Sequence, residues 1–256
     1  MIGFREQGDG APLVLLHGIS SGAASWHKQM ALPGCRVLAW DMPGYGDSPL
    51  LARKEADAGD YADALAELLD ATGIDRAVLV GHSLGALVAC AFAVKYPQRA
   101  QHLVLANPAQ GYGRAEAEKQ SQVWHSRQAL MALGGETMAQ TRAARLLRPG
   151  ACADDIATVA AGMRRLRAEG YLAAARMLVH DDIHRWLAEY AGSAEVWCGE
   201  LDTVTPPEGA RALALRYGMP WRPLPEAGHA SYLDNDILFN QQLRQAVKGV
   251  ADAGTH

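Results

Sequence analysis

The sequence predicts an α/β protein with a mostly parallel central sheet, helices on both faces and an inserted helical cap. Short apolar runs recur along the 256-residue chain, and helix-forming stretches separate several of them. The first four runs are near-continuous, which is typical of strands covered on both faces of a parallel sheet. The alternation of strand and helix then predicts an open sheet with right-handed crossovers.

Six strands and three core helices are expected from this alternation. The strands are predicted at residues 12–16, 36–40, 77–80, 102–106, 195–198 and 221–224. The helices are predicted at residues 61–72, 84–96 and 207–217. The second helix ends before Pro97, because proline cannot continue a helix.

The alternation breaks between residues 111 and 186, where four or five helical segments are predicted, at about 115–133, 137–147, 154–168 and 171–178. We therefore expect a core built from residues 1–110 and 187–256, with a cap of residues 111–186. The cap holds ten Arg and one Lys against eight acidic residues, about +3, whereas the whole chain carries −4. Its arginines form a solvated face, or one or two of them pair with an anionic substrate.

Composition narrows the possible partners and the compartment. Lys and Arg (24) nearly balance Asp and Glu (28), and no basic tract favours nucleic acid. The sequence contains no apolar run of 18 residues, so we expect no membrane span. The N-terminus lacks the basic-then-apolar layout of a signal peptide. Four distant cysteines form neither a zinc pattern nor an evident disulfide framework. We expect a cytoplasmic protein with a small-molecule partner, and the sequence does not indicate its oligomeric state.

Residues 81–85 read Gly-His-Ser-Leu-Gly, which has the Gly-x-Ser-x-Gly form of a nucleophile elbow. A predicted strand precedes this pentapeptide and a predicted helix follows it. A sharp strand-to-helix turn needs small flanking residues, which Gly81 and Gly85 supply. Ser83 is therefore the candidate nucleophile, placed where free N–H groups at a helix N-terminus favour an oxyanion.

A base and an acid follow Ser83 in the chain. His229 lies after Gly228 on a predicted loop, and histidine is the usual base for a serine hydroxyl. Asp202 follows the strand at 195–198 and is the candidate that orients the imidazole, with Glu200 as its rival. Asn107 stands at the other position where such an acid can occur, and an amide supplies no negative charge.

Attack by serine places negative charge on the substrate oxygen, so two backbone donors are needed. The N–H of Leu84, directly after the nucleophile, is the first candidate. The N–H of Ile19, after the strand at 12–16 and the pair His17-Gly18, is the second. We expect His17 to brace this loop by hydrogen bonds rather than to act in catalysis.

Together these motifs resemble a known family. His17-Gly18, the segment 41–48 (Asp-Met-Pro-Gly-Tyr-Gly-Asp-Ser), the elbow at 81–85, the segment 199–206 and Gly228-His229 are similar to those of capped α/β-hydrolase-fold serine hydrolases of the esterase/lactonase type. The resemblance implies a cofactor-free Ser–His–Asp mechanism through an acyl-enzyme, with segment 41–48 as a supporting turn. That family usually begins with a hairpin, for which this N-terminus has little room.

The predicted function is hydrolysis of a carboxylic ester or lactone. The segment 169–182 and the end of the strand near residue 106 most resemble relatives of 3-oxoadipate enol-lactonase. A carbon–carbon bond hydrolase of ring-cleavage diketones is the first alternative, although many of those carry an aromatic residue where Ala230 follows the histidine here. A small-ligand receptor on the same fold is the second alternative.

Other residues have open roles. His82, Trp124 and Trp186 are candidate substrate-binding residues. The two tryptophans either line an apolar pocket, if they face inward, or pack within the cap. His180 and His184, spaced i and i+4, could share a helix face and bind a metal. We expect no metal site there, because no further ligand cluster accompanies them.

Overall fold

The computed structural model describes the backbone of residues 1–253 and the side chains of residues 1–250. Its centre is a seven-stranded sheet with the order β1-β3-β2-β4-β5-β6-β7. The strands are β1 (Phe4–Gln7), β2 (Ala11–Leu16), β3 (Cys35–Trp40), β4 (Ala77–His82), β5 (Ala100–Ala106), β6 (Ala194–Gly199) and β7 (Trp221–Leu224). β1 runs antiparallel to β3, and the other neighbours are parallel. The predicted fold class and its six strands are confirmed.

β1 is the strand that the apolar runs did not predict. It forms one edge of the sheet, and three of its four residues are exposed. An edge strand that is solvated on its outer side does not need the near-continuous apolar run of a central strand. It pairs with β3 rather than forming a hairpin with β2.

Ten helices accompany the sheet within residues 1–253. They are α1 (Ala58–Ala71), α2 (Gly85–Lys95), α3 (Ala117–Ala132), α4 (Gly134–Arg142), α5 (Ala153–Arg164), α6 (Ala168–His180), α7 (Ile183–Leu187), α8 (Pro207–Arg216), α9 (Ser231–Asp234) and α10 (Asp236–Ala253). α1 begins three residues earlier than predicted, because Asp57 and Asp60 form a reciprocal capping box at its N-terminus. None of the helices in this part of the chain has the length and apolar character needed to cross a bilayer.

The chain between β5 and β6 contains helices and no further strand of the sheet. The two ends of this helical stretch lie side by side. Gly111 and Asp182 form an isolated antiparallel bridge, and the Gly113 N–H donates to the Asp181 carbonyl at 2.9 Å. Gly111 has a φ of +78°, and a Cβ there would lie 2.2 Å from the Asp181 oxygen. The bridge therefore needs glycine at this position. The division into a core and a cap of residues 111–186 stays a prediction.

Several polar contacts fasten this helical stretch to the rest of the molecule. Asp155 of α5 pairs with Lys28 at 2.7 Å, and Arg167 donates to the carbonyls of Gly44 and Ser48. The helical stretch consequently lies over the carboxyl ends of the parallel strands, where open α/β sheets place their ligand sites.

Candidate active site

The Gly-His-Ser-Leu-Gly segment forms a sharp turn between β4 and α2. Ser83 has a φ of +53°, which is strained for any residue except glycine. A Cβ on Gly85 would lie 2.3 Å from the Leu16 carbonyl oxygen, and one on Gly81 would lie 2.5 Å from the Gly85 oxygen. Only glycine at these two flanking positions lets the turn pack this tightly, and the turn presents Ser83 at the start of α2.

Asp202 and His229 are brought together from two loops that follow β6 and β7. The distance from His229 Nδ1 to Asp202 Oδ2 is 2.9 Å, and each residue is 4 % exposed. A carboxylate can only accept, so Nδ1 carries a proton, and in the neutral form of the ring Nε2 then has the lone pair. This is the tautomer that a general base requires.

Both oxygens of Asp202 are hydrogen bonded by the surrounding protein. Oδ1 accepts from the N–H groups of Val204 and Thr205, at 2.7 and 3.0 Å. Oδ2 accepts from Asn107 Nδ2 and Thr205 Oγ1, both at 2.8 Å. Burial raises the pKa of Asp202, but the hydrogen bond and charge of His229, with the bonds from Asn107 and Thr205, hold it well below its ordinary value. Asp202 is therefore ionised.

Glu200, the rival carboxylate, is exposed at the end of β6. Among the described residues, no hydrogen bond joins His229 to Glu200. The loop geometry thus selects Asp202 as the imidazole's neighbour.

Asn107 is the functional residue that sequence reasoning missed. It follows β5 with a φ of +47° and is fully buried. Its amide donates to Asp202 Oδ2, and its Oδ1 accepts from Ser231 Oγ at 2.5 Å. From the sequence alone, this position counts only as a place where an acid could occur. The available signal was an amide at the carboxyl end of a strand that neighbours both β4 and β6.

Asn107→Ala is expected to lower kcat about tenfold and the free energy of unfolding by about 1–3 kcal/mol, because it leaves buried partners unsatisfied. Steady-state kinetics and denaturant unfolding would measure both quantities. Asn107→Gly is the matched control, since it removes the same side chain and relieves the positive φ. Values of kcat within twofold of wild type in both variants would contradict a positioning role for the amide.

The Gly18–Ile19 peptide is fixed by its carbonyl group. His17 Nδ1 donates to the Gly18 oxygen at 2.8 Å, and the Ser21 N–H donates to it at 3.2 Å. The peptide is trans, so the Ile19 N–H points the opposite way. That N–H has no acceptor among the described residues, and both Gly18 and Ile19 line the central cavity.

The Ser83–Leu84 peptide is held in the same manner. The Ser83 carbonyl accepts from the N–H groups of Ala86 and Ala109, each at 3.1 Å. The Leu84 N–H therefore points away from this carbonyl, and within residues 1–253 it donates to no protein acceptor. Two free, pre-oriented donors thus stand near Ser83, as expected for an oxyanion site.

His17 and the turn at 41–48 support the Ile19 loop. His17 Nε2 accepts from the Met42 N–H at 3.0 Å while Nδ1 donates to Gly18. Tyr45 OH donates to the Ile19 carbonyl at 2.7 Å. Burial lowers the pKa of His17 despite its bond to Gly18, so the imidazole is neutral. Its contacts match the predicted bracing role.

His82 lines the cavity and also contacts the histidine loop. Its Nε2 donates to the His229 carbonyl at 2.8 Å, and the two rings lie 4.8 Å apart. Burial, with a smaller effect of His229, lowers the pKa of His82 to about 3. His82 therefore remains neutral and holds the His229 backbone; a role in substrate binding stays a prediction.

A cavity of about 310 Å³ opens beside the elbow. Its floor includes Ser83 and the two candidate oxyanion residues. Its walls are mostly apolar and include side chains from the helical stretch and from the loop before α8, namely Leu130, Leu146, Val159, Met163, Leu178, Val204 and Pro206. The volume suits a small molecule rather than a polymer.

Neither predicted tryptophan lines this cavity, which corrects that expectation. Trp186 turns toward α1, where its Nε1 donates to Asp181 Oδ1 at 3.0 Å and its ring lies against Gly59. Trp124 is covered by the guanidinium of Arg176, 4.7 Å from the ring centre. Both rings thus have their packing partners away from the cavity.

The segment 180–184 has a structural role. Asp181 Oδ2 accepts from the Ala58 N–H, and Asp182 caps the N-terminus of α7. His180 and His184 lie on different helices, α6 and α7, so they do not share a face. The part of the chain that the structure describes holds no group of three or more His, Cys, Asp or Glu suited to a metal ion.

The sheet order and the strained strand-to-helix turn at its carboxyl edge define an α/β protein of the nucleophile-elbow class. Sequence comparison agrees with this class. The chain belongs to the alpha/beta hydrolase fold family, whose model matches residues 11–236. The predicted resemblance to this family of hydrolases is confirmed.

Solved structures and curated proteins give further likenesses. A thermophilic esterase from Thermogutta terrifontis is 25 % identical, with a TM-score of 0.84 over 97 % of this chain and 93 % of that one. The enol-lactonase from Burkholderia xenovorans LB400 is 22 % identical, with a TM-score of 0.80 over 95 % of each chain, and shows the shared fold.

A 2-hydroxy-6-oxo-6-phenylhexa-2,4-dienoate hydrolase from Comamonas testosteroni is 35 % identical over 114 residues. That match covers 42 % of this chain and 40 % of the relative. The similarity thus spans about two fifths of the length of this curated relative.

Proposed function

We propose that this protein is a serine hydrolase that cleaves a carboxylic ester or lactone of a small molecule. The proposal rests mainly on the buried Asp202–His229 pair. The two residues lie on loops after β6 and β7, at the same edge of the sheet as the strained Ser83. The two free N–H groups of Ile19 and Leu84 complete the set of groups that acyl transfer needs.

In the proposed first step, Ser83 Oγ attacks the acyl carbon while His229 Nε2 takes the serine proton. The substrate oxygen becomes negatively charged and accepts hydrogen bonds from Ile19 and Leu84. The ionised Asp202 stabilises the imidazolium. His229 then protonates the leaving alkoxide, and an acyl-enzyme remains on Ser83.

In the second step, water gives a proton to His229 and attacks the acyl-enzyme. Collapse of the tetrahedral intermediate returns the proton to Ser83 Oγ and releases the acid. The hydrogen bonds of the described residues do not join Ser83 to His229. We assign the formation of that bond to the substrate complex, where catalytic hydrogen bonds commonly tighten.

The esterase from Thermogutta terrifontis supports the ester reading, since the likeness extends over nearly all of both chains. The elbow residue also supports it, because a serine forms an ester with the acyl group of the substrate. Cleavage of a lactone uses the same steps, with the leaving alkoxide tethered to the acyl group.

Carbon–carbon bond hydrolysis is the second candidate function. The 35 % identity to a 2-hydroxy-6-oxo-6-phenylhexa-2,4-dienoate hydrolase favours it. We nevertheless prefer ester or lactone hydrolysis, because Ala230 follows His229 where many carbon–carbon bond hydrolases have an aromatic residue. A receptor that binds but does not turn over its ligand is an outcome that the same experiment detects.

A parallel activity screen tests these readings. We expect p-nitrophenyl butanoate and short lactones to be turned over, and a vinylogous ring-cleavage diketone to be cleaved at least about tenfold more slowly in kcat/KM. Faster cleavage of the diketone would favour the second candidate. Binding without turnover of any class would contradict an enzymatic role.

A further inference from the structure

The central cavity has a one-sided charge. Its lining includes two cationic side chains, Arg127 of α3 and Arg142 at the end of α4. None of the described residues that line it is Asp or Glu. In a chain with a net charge of −4, the cavity beside Ser83 is thus locally positive.

Neither of these two arginines has an acidic partner within the described side chains, although both line the cavity. Arg127 has one polar contact, Nη1 to Tyr171 OH at 3.5 Å. By contrast, Arg164 pairs with Glu136 at 2.7 Å and Arg185 pairs with Asp57 at 2.9 Å. Both Arg127 and Arg142 are half-buried, so their charges are partly removed from water. A half-buried charge without a partner is costly, which favours a ligand anion.

A surface depression next to the cavity has the same charge. It shares Tyr112, Arg127, Leu130 and Arg142 with the cavity and adds Lys119. Its described lining also holds no Asp or Glu. The two arginines therefore stand where the depression and the cavity meet, on a positively charged path toward Ser83.

We propose that the substrate is an ester or lactone that carries a carboxylate, which Arg127 and Arg142 bind while the acyl carbon lies at Ser83. This inference rests on the proposed function. The planar guanidinium matches a carboxylate with two parallel hydrogen bonds. The same cavity is also lined by the apolar side chains of Leu146 and Val159, which suit a short aliphatic spacer.

The test compares mono-p-nitrophenyl glutarate with p-nitrophenyl pentanoate, which have the same leaving group and acyl length. The measured quantity is the ratio of kcat/KM for the carboxylate ester to that for the neutral ester. We expect wild type to prefer the carboxylate ester, and added NaCl to reduce the preference. Arg127→Gln and Arg142→Gln should each lower the ratio about tenfold.

Matched variants show whether the position or the charge matters. Arg145→Gln removes an exposed arginine that lines neither the cavity nor the depression, so the ratio should stay as in wild type. Arg127→Lys and Arg142→Lys should restore part of the ratio. No preference in wild type, or a ratio unchanged in both Gln variants, would overturn the proposal.

A binding measurement separates this inference from the proposed function. Calorimetry of the Ser83→Ala variant with monomethyl glutarate and with methyl pentanoate reports affinity without turnover. Tighter binding of the glutarate, lost in Arg142→Gln on that background, is expected. If no ester were hydrolysed, the proposed function would fail while this binding still decides the anion site. Equal binding of the two esters would refute the carboxylate site alone.

Discussion

Ser83→Ala is expected to lower kcat for ester hydrolysis by about 10⁴-fold or more, because it removes the only hydroxyl at the elbow. The free N–H groups of Ile19 and Leu84 remain and would account for the residual rate. Fluorophosphonate labelling of the folded protein should modify Ser83 in wild type and should be absent from the variant.

Ser20→Ala is the control for this experiment. Ser20 lines the same cavity but lies outside the elbow, so its removal should change kcat by less than about threefold. Thermal unfolding would establish that both variants are folded. Retention of activity within tenfold in Ser83→Ala, or labelling at another residue, would contradict the proposed nucleophile.

Asp202→Asn is expected to lower kcat by about 10⁴-fold, since the imidazole loses the charge that selects its tautomer. The surroundings of Asp202 add a second effect. Its Oδ1 faces two backbone donors, and its Oδ2 faces His229, Asn107 and Thr205. An asparagine amide would place N–H groups against donors in either orientation. We therefore also expect the free energy of unfolding to fall by about 1–3 kcal/mol.

Glu200→Gln is the matched control for Asp202→Asn. It neutralises the rival carboxylate on the same loop, but Glu200 is exposed and contacts neither His229 nor Asn107 through the described hydrogen bonds. Kinetics and denaturant unfolding of the two variants should differ sharply. A larger loss of kcat in Glu200→Gln than in Asp202→Asn would reverse the assignment of the acid.

Local chemistry made much of the site predictable. The turn around Ser83 needs glycines on both sides, and the loops after successive parallel strands must meet at one edge, so chain order alone placed Asp202 near His229. Asn107 was missed because its role depends on a hydrogen bond across two strands rather than on its own charge. The exposed edge strand β1 was missed because it lacks an apolar run.

The tryptophans show a different limit. Cap helices have apolar surface on more than one side, and tertiary packing decides which side faces the cavity. The indole N–H of Trp186 donates to Asp181, and the ring of Trp124 packs against the guanidinium of Arg176. Neither partner is recognisable from helical spacing, so the sequence could indicate an apolar pocket but not its lining.

The bridge between Gly111 and Asp182 has a consequence for how the helical stretch of this protein can change. Because the two ends of the helical stretch are paired side by side, we expect that the residues between them can be exchanged together. A donor segment of different length would have to close the same short gap and replace the contacts that Asp155 and Arg167 make with the rest of the molecule. Under the proposed function, we expect exchange of this segment to alter substrate choice more than the chemistry at Ser83.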